Sequence, residues 1–284
     1  MLTLLHRLFR DPASAACYGP ALDTVGYSGT AINTTLAAGT IFGGDSFQIR
    51  NTNGNTPAWL IQAWSDHQAA GQVRIRSPKF HDNVDGLRWR AQIGVLDPQI
   101  PNGAMQMLYP QDILIGELAG SATAGDIESV LMQIYYPDLP GANANLKTWD
   151  QVKPHIKNLV GMRIAMTIGS TAGYNGARAI NADVDLLKAN TYYALMGGTT
   201  DIETAAITIK GPDTSNLRVA FPGENSLIHE VNWWFKRLSQ ATGFGLIPCL
   251  NSANKGATQV EVSGDENGGT CNVTLWLAEL DALP

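Results

Sequence analysis

Histidine and cysteine, the residues that most often bind metals or act as nucleophiles, are few and scattered in this 284-residue chain. No HExxH, HxH or CxxC arrangement is present, although zinc sites need such short spacings for ligands to converge on one ion. We therefore predict no metal site. The five histidines are His6, His67, His81, His155 and His229.

Other catalytic patterns are also missing. Asp66-His67 and His229-Glu230 are adjacent pairs, but neighbours on a strand point to opposite faces and do not form a dyad. No GxSxG elbow or P-loop occurs. We therefore expect no catalytic residues, no cofactor and no enzymatic activity. The glycines closest to a dinucleotide-binding loop have the wrong spacing: Gly169, Gly173 and Gly176.

Two further segments favour structural roles. The loop 264–269 carries two acids, but it lacks the alternating oxygen ligands of a calcium loop, so a hairpin turn is the better interpretation. Trp233-Trp234-Phe235 is the densest aromatic cluster. On a strand, two of these rings would face the core and one would face outward, and we predict core packing.

The composition restricts the class of protein. Charged residues make up 15% of the chain, against roughly 25% in a typical soluble protein. Either part of the surface is buried against other chains, or this is a β-protein with a surface rich in Ser, Thr and Asn. The net charge of −6 argues against direct nucleic-acid binding. Cys17, Cys249 and Cys271 are too few for a disulfide framework, which favours a reducing compartment, although Cys249 and Cys271 could still meet.

The first ten residues, MLTLLHRLFR, predict a short amphipathic helix within a segment of residues 1–12. Its apolar and polar residues separate completely at helical spacing, and Asp11-Pro12 ends it. A helix this short needs a partner to order it, which is either an anionic lipid surface, a neighbouring subunit or its own module. The residues that we expect to contact membrane or subunit are Leu2, Leu4, Leu5, Arg7, Leu8, Phe9 and Arg10.

Internal similarity predicts a duplicated module. Five pairs of segments recur in the same order with offsets of 144 to 154 residues. Such periodicity is the usual signature of a repeated structural unit. The pairs begin at Gly26 and Gly173, Phe42 and Met196, Val73 and Leu217, His81 and His229, and Asp126 and Thr270.

Short alternating segments separated by turn clusters predict an all-β fold, with one β-sandwich or jelly roll in each of two tandem modules. We place the modules at residues 20–139 and 166–284, with a connector at 140–165. Trp149–Val160 predicts either a helix limited by Pro154 or a turn-rich connector between the modules, and Asp183–Asn190 could add one or two helical turns. The predicted strands are Ser46–Arg50, Gln72–Arg76, Leu87–Ile93, Ala205–Lys210, Gln259–Val262 and Asn272–Leu277.

Together, the tandem β-modules over residues 20–284, the low charge, the N-terminal amphipathic segment and the missing catalytic pattern resemble a double jelly-roll major capsid protein. That family builds the shells of tailless viruses and bacteriophages with an internal membrane. The resemblance implies a structural protein whose chains form pseudo-hexagonal homotrimers and then an icosahedral shell. It also implies a virion location, assembly in the host cytoplasm, and residues 1–12 facing the membrane or a neighbouring subunit.

Two other classes remain open. A tandem carbohydrate-binding, lectin-like protein would use exposed aromatic rings as sugar platforms, with Trp59, Trp64 and Trp233 as candidates. A glycosidase or lyase on a duplicated β-scaffold would need two carboxylates facing each other across a cleft.

Overall fold

The computed structural model describes residues 18–30, 42–67, 71–80, 83–91, 94–95, 105–119, 126–223, 232–265 and 267–284. Eighteen β-strands and two short α-helices occur in these residues. The predicted all-β fold is therefore confirmed. The predicted helix at residues 1–12, with its contact residues, lies outside the described residues, as do Cys17, His81 and His229.

The first half of the chain forms two antiparallel sheets. Their orders are β1-β9-β3-β6, with β7 also paired to β3, and β2-β8-β4-β5. The strands are β1 (Tyr18–Thr30), β2 (Gly43–Gln48), β3 (Ala58–His67), β4 (Gly71–Arg76), β5 (Leu87–Ala91), β6 (Gly94–Val95), β7 (Gln106–Leu108), β8 (Ile113–Ala119) and β9 (Ile127–Pro140). We call this half the first sandwich.

The second half, here the second sandwich, also forms two antiparallel sheets, in the orders β10-β16-β13-β18-β11 and β12-β17-β14-β15. Its elements are β10 (Leu146–Lys147), α1 (Trp149–Val152), β11 (Ile156–Ile168), β12 (Tyr174–Ala179), β13 (Tyr192–Thr200), β14 (Thr204–Lys210), β15 (Val219–Gly223), α2 (Trp234–Thr242), β16 (Ile247–Asn251), β17 (Gln259–Ser263) and β18 (Gly269–Leu280).

The two sandwiches share one strand order. The order β1-β9-β3-β7 corresponds to β11-β18-β13-β16, and β2-β8-β4-β5 corresponds to β12-β17-β14-β15. The module division at 20–139, 140–165 and 166–284 stays a prediction. The segment predicted as the connector, residues 140–165, already contains β10, α1 and the first ten residues of β11.

Most of the sequence pairs proposed for the repeat do not fall on equivalent strands. Asp126 and Thr270 do begin equivalent segments, because these lead into β9 and β18. In contrast, Gly26 lies in β1 whereas Gly173 directly precedes β12. The pairs beginning at Phe42 and Val73 are also wrong as structural equivalences, since β2 and β4 correspond to β12 and β14, whereas Met196 lies in β13 and Leu217 leads into β15.

Local signals locate most strands correctly, although their ends differ. All six predicted strands overlap observed ones, namely β2, β4, β5, β14, β17 and β18, and Ser46–Arg50 extends two residues beyond the end of β2. The predicted helix from Trp149 is shorter than expected: α1 begins with a capping box between Thr148 and Gln151 and ends at Val152, just before a 3₁₀ turn that contains Pro154. The helical turns predicted for Asp183–Asn190 are wrong, because this segment forms only turns and bends.

The strand β9 is buried on both faces and contacts both sandwiches. Every residue from Ile127 to Tyr136 is buried. Alternate side chains point to opposite faces of a strand, so β9 serves two cores. Its even-numbered residues pack inside the first sandwich: Val130, Met132, Ile134 and Tyr136. Leu131 and Tyr135 instead join the apolar cluster of the second sandwich.

Hydrogen bonds also fix the position of the first sandwich against the second. The Trp64 Nε1 group donates to the Ala205 carbonyl oxygen (2.8 Å), and the Gln133 Nε2 group donates to the Ala220 carbonyl oxygen (2.9 Å). The Thr24 amide donates to the Arg218 carbonyl oxygen at 2.8 Å. Each bond satisfies a group that burial would otherwise leave without a partner. The outer face of the β1-β9-β3 sheet, which points away from the core of the first sandwich, is therefore packed and hydrogen-bonded against the second sandwich.

We expect Leu131→Ala to lower the free energy of unfolding by about 2–5 kcal/mol, because it removes a buried side chain between the sandwiches. Leu186→Ala, at an exposed position between β12 and β13, is the control and should change it by less than about 0.5 kcal/mol. Urea denaturation followed by circular dichroism measures both. A Leu131→Ala loss as small as that of the control would contradict burial of this face.

Candidate functional site: the cleft between the sandwiches

The tryptophans proposed as sugar platforms are integrated into the protein core. Trp64 is fully buried and cannot stack on a ligand, so this prediction is wrong. Trp59 and Trp233 are partly buried and pack against the apolar cluster of the second sandwich. The Trp59 ring lies 6.0 Å from that of Phe244. None of the three forms an open aromatic platform.

The Trp233-Trp234-Phe235 cluster packs into the core, as predicted, but on a helix rather than a strand. Trp234 and Phe235 are buried residues of α2. The Trp234 ring meets Trp64 edge-on at 5.5 Å, and the Phe235 ring meets Phe221 edge-on at 6.0 Å. This helix therefore fastens the second sandwich to the first.

The described part of the chain shows neither a candidate metal site nor an activated cysteine. No group of three or more His, Cys, Asp or Glu side chains there could hold a metal ion. Cys249 and Cys271 are both free and buried, so they do not pair. Burial raises the pKa of the Cys249 thiol to about 12 and that of Cys271 to about 11, which keeps both protonated and poorly nucleophilic.

Among the described residues, His155 has an ionic partner. Its Nδ1 atom lies 2.7 Å from the Asp281 carboxylate at the protein surface. Exposed pairs of this kind contribute little to stability.

Among the described residues, no helix is long and apolar enough to cross a bilayer.

A cleft of about 670 Å³ opens between the two sandwiches. We call it the inter-sandwich cleft. Its first wall comes from β1, β2, Arg50 and β9, and its second wall from the segment before β12, from β14 and from residues 216–218. The polar and aromatic residues that line it include Asp23, Tyr27, Ser28, Asp45, Phe47, Arg50, Ser129, Tyr174, Lys210, Asn216 and Arg218.

The first wall carries an ion pair between the buried Asp23 and the exposed Arg50. The Asp23 carboxylate accepts a hydrogen bond from Arg50 Nη2 at 3.1 Å. Burial raises the pKa of Asp23 above its ordinary value, and the nearby Arg50 and Arg218 guanidinium groups only partly offset that effect. The Arg50 amide also donates to the Tyr136 hydroxyl, and burial raises the pKa of Tyr136 to about 12. Asp23 therefore depends on these arginines to remain ionised.

The second wall carries a matching pair. Arg218 Nε donates to the Glu261 carboxylate at 2.7 Å, and the Arg218 guanidinium lies 4.9 Å from the centre of the Tyr174 ring. Burial raises the pKa of Tyr174 well above its ordinary value. The Tyr174 hydroxyl is buried and has no hydrogen-bond partner among the described residues. Such an orphan group is rare in proteins and marks an incompletely satisfied site.

Sequence reasoning missed this cleft. Asp23, Arg50, Tyr174, Lys210 and Arg218 come from distant segments of the chain and meet only when the two sandwiches pack together. No short motif joins them. The one local signal is an arginine or lysine at the end of an alternating strand, as at Arg50 and Lys210, and that pattern also occurs on ordinary surface strands.

No protein-family model and no curated protein sequence matches this chain. The crystal structure of PBSX exported protein XepA is 12% identical over 90% of this chain and 85% of its own, with a TM-score of 0.27. The atomic structure of Sulfolobus Turreted Icosahedral Virus is 9% identical over 95% of this chain and 61% of its own, with a TM-score of 0.24.

The major capsid protein P2 from Bacteriophage PM2 is 6% identical over 90% of this chain and 98% of its own, with a TM-score of 0.21. The weak structural neighbours of this chain thus include virus and capsid proteins. TM-scores this low do not establish a shared fold, so the case for function rests on the geometry of the chain itself.

Proposed function

We propose that this chain is a structural capsid protein with a double jelly-roll architecture, which assembles as pseudo-hexagonal trimers into the shell of a virion. The proposal rests on one observation: the two sandwiches of this chain have the same strand order and pack against each other. The proposal assigns the protein no enzymatic activity, no cofactor and no direct contact with nucleic acid.

The strand pairing follows the nested pattern of a jelly roll. In such a fold a long hairpin is folded over, so the first strand pairs with the last, the second with the next to last, and so on inward. The first sandwich pairs β1 with β9, β2 with β8, β3 with β7 and β4 with β5. The second pairs β11 with β18, β12 with β17, β13 with β16 and β14 with β15. Two such units per chain would give a trimer six similar blocks.

An uncovered face supports self-assembly. In the first sandwich, the outward side chains of β9 are covered by the second sandwich. In the equivalent strand β18, Asn272 and Thr274 are partly exposed on the outward face. Trp276 is also partly exposed, although its ring packs against the apolar cluster and its Nε1 group donates to Asn232 Oδ1 at 3.1 Å. On the neighbouring β11, Arg163 is exposed beside Thr274. The first sandwich of another copy would cover this face in the way that the second sandwich covers β9. Repeated head to tail, such a contact closes a ring.

Exposed apolar side chains provide further contact surface on the first sandwich. Met107, Tyr109 and Ile113 lie around the turn between β7 and β8 and are all exposed. A chain with so few charged residues leaves apolar surface in contact with water. Contact with other subunits would bury these side chains and remove that surface from water.

The assembly proposal is tested by the oligomeric state. We expect wild-type protein to form trimers at micromolar concentration in mass photometry. Thr274→Glu should shift it toward monomer, because it adds a charge to the face that we expect to be buried between copies, while Arg163 keeps that charge compatible with the folded chain. Asn53→Glu, an exposed turn residue of the first sandwich, is the matched control and should leave the trimer intact. A wild-type protein that stays strictly monomeric would overturn the proposal.

We further propose that residues 1–10 contact a membrane or a neighbouring subunit at the inner side of the shell. The sequence places apolar residues on one arc of this segment and Arg7 and Arg10 on the other. Full-length protein should float with anionic liposomes in a density gradient, and a variant without residues 1–10 should not. Full-length protein that never floats would contradict lipid contact and leave the subunit as the partner.

A further inference from the structure

We propose that the inter-sandwich cleft binds a small acidic saccharide, that is, a sugar that carries a carboxylate. This inference goes beyond the shell-forming role and does not depend on it. Its basis is the combination of exposed basic groups, unused hydrogen-bond donors, hydroxyl groups and aromatic rings within one cleft.

The ion pairs present their basic ends to solvent. The side chain of Arg50 is 52% exposed, whereas that of its partner Asp23 is 8% exposed. Arg218 is 40% exposed and its partner Glu261 is 13% exposed. Within each pair the carboxylate is therefore the more buried group and the guanidinium group the more exposed one. The charged lining consists of Asp23, Arg50, Lys210, Arg218 and the exposed Asp45, which leaves three basic groups against two carboxylates.

The basic groups keep unused donors. Among the described residues, the Arg50 side chain donates through Nη2 alone and Arg218 through Nε alone. The backbone of Lys210, at the end of β14, pairs with β17, whereas its side chain has no hydrogen-bond or ionic partner among the described residues. A guanidinium offers five N–H donors and matches a carboxylate with two parallel bonds. The donor excess therefore favours an acceptor-rich anion over a neutral ligand.

The remaining lining fits the hydroxyls and ring of a sugar. Ser129 Oγ donates to Ser28 Oγ at 2.9 Å, and this pair keeps further donor and acceptor capacity toward the cleft. Tyr27 and Phe47 pack against the apolar cluster of the first sandwich but remain partly exposed, and they line the cleft, where their edges can contact the apolar face of a sugar. If the Arg218 side chain turns toward a ligand carboxylate, it no longer covers the Tyr174 ring. The Tyr174 hydroxyl, which has no partner among the described residues, can then form a hydrogen bond with the ligand. The volume of about 670 Å³ suits a small ligand.

Isothermal titration calorimetry with glucuronate, glucose and inorganic phosphate tests the proposal. We expect glucuronate to bind at least about tenfold more tightly than glucose, because only glucuronate offers a carboxylate to the basic groups. It should also bind at least about tenfold more tightly than phosphate, which lacks the sugar hydroxyls and ring.

Variants at Lys210 locate the site. Because the Lys210 side chain has no partner in the described structure, Lys210→Gln should leave the melting temperature unchanged and weaken glucuronate binding about tenfold. Lys210→Arg keeps the charge and should retain binding. Lys153→Gln, which removes an exposed lysine outside the cleft, is the control and should bind as wild type does.

Three results would overturn the inference. Absence of glucuronate binding would remove the site, and equal binding of glucose would remove the role of the carboxylate. Equal binding of phosphate would mean that the cleft recognises an oxyanion alone. The oligomeric state, measured on the same samples, is a separate readout, so loss of sugar binding with intact trimers would leave the shell-forming proposal standing.

Discussion

Burial of the outer face of the β1-β9-β3 sheet is the interaction on which the rest of the structure depends. An isolated sandwich would leave Leu131, Gln133 and Tyr135 in water, whereas here they meet the second sandwich and α2. Because alternate residues of β9 serve two cores, a disturbance of this strand affects both halves of the chain. The hydrogen bonds from Trp64 and Gln133 to backbone carbonyl oxygens restrict the two halves to one arrangement.

The inter-sandwich cleft is a consequence of that arrangement. Where the sheets diverge beyond the Thr24 contact, Asp23 on one wall faces Arg218 on the other. A buried carboxylate is costly unless it is paired, and Arg50 together with Arg218 supplies the compensation. The walls of the cleft are therefore positioned by the packing of the two sandwiches, and its arginines are each paired with a carboxylate.

Much of the fold could be predicted from sequence, because alternation over β4, β14 and β17 reports directly on strands with one buried face. The helix α2 was missed because two tryptophans and a phenylalanine resemble a strand, although Trp234, Phe235 and Leu238 also fit one helical face. Most of the proposed repeat pairs failed because Gly-Tyr and Gly-Gly matches occur by chance, whereas the common strand order depends on pairings far apart in the chain. The cleft could not be predicted, since its residues meet only through the packing of two sandwiches.

The central claim is that the two sandwiches form one cooperative block, because β9 contributes side chains to both cores. Differential scanning calorimetry under conditions that keep the protein monomeric tests this directly. The account predicts a single transition in which the calorimetric enthalpy equals the van't Hoff enthalpy. Two separate transitions, one for each sandwich, would contradict it.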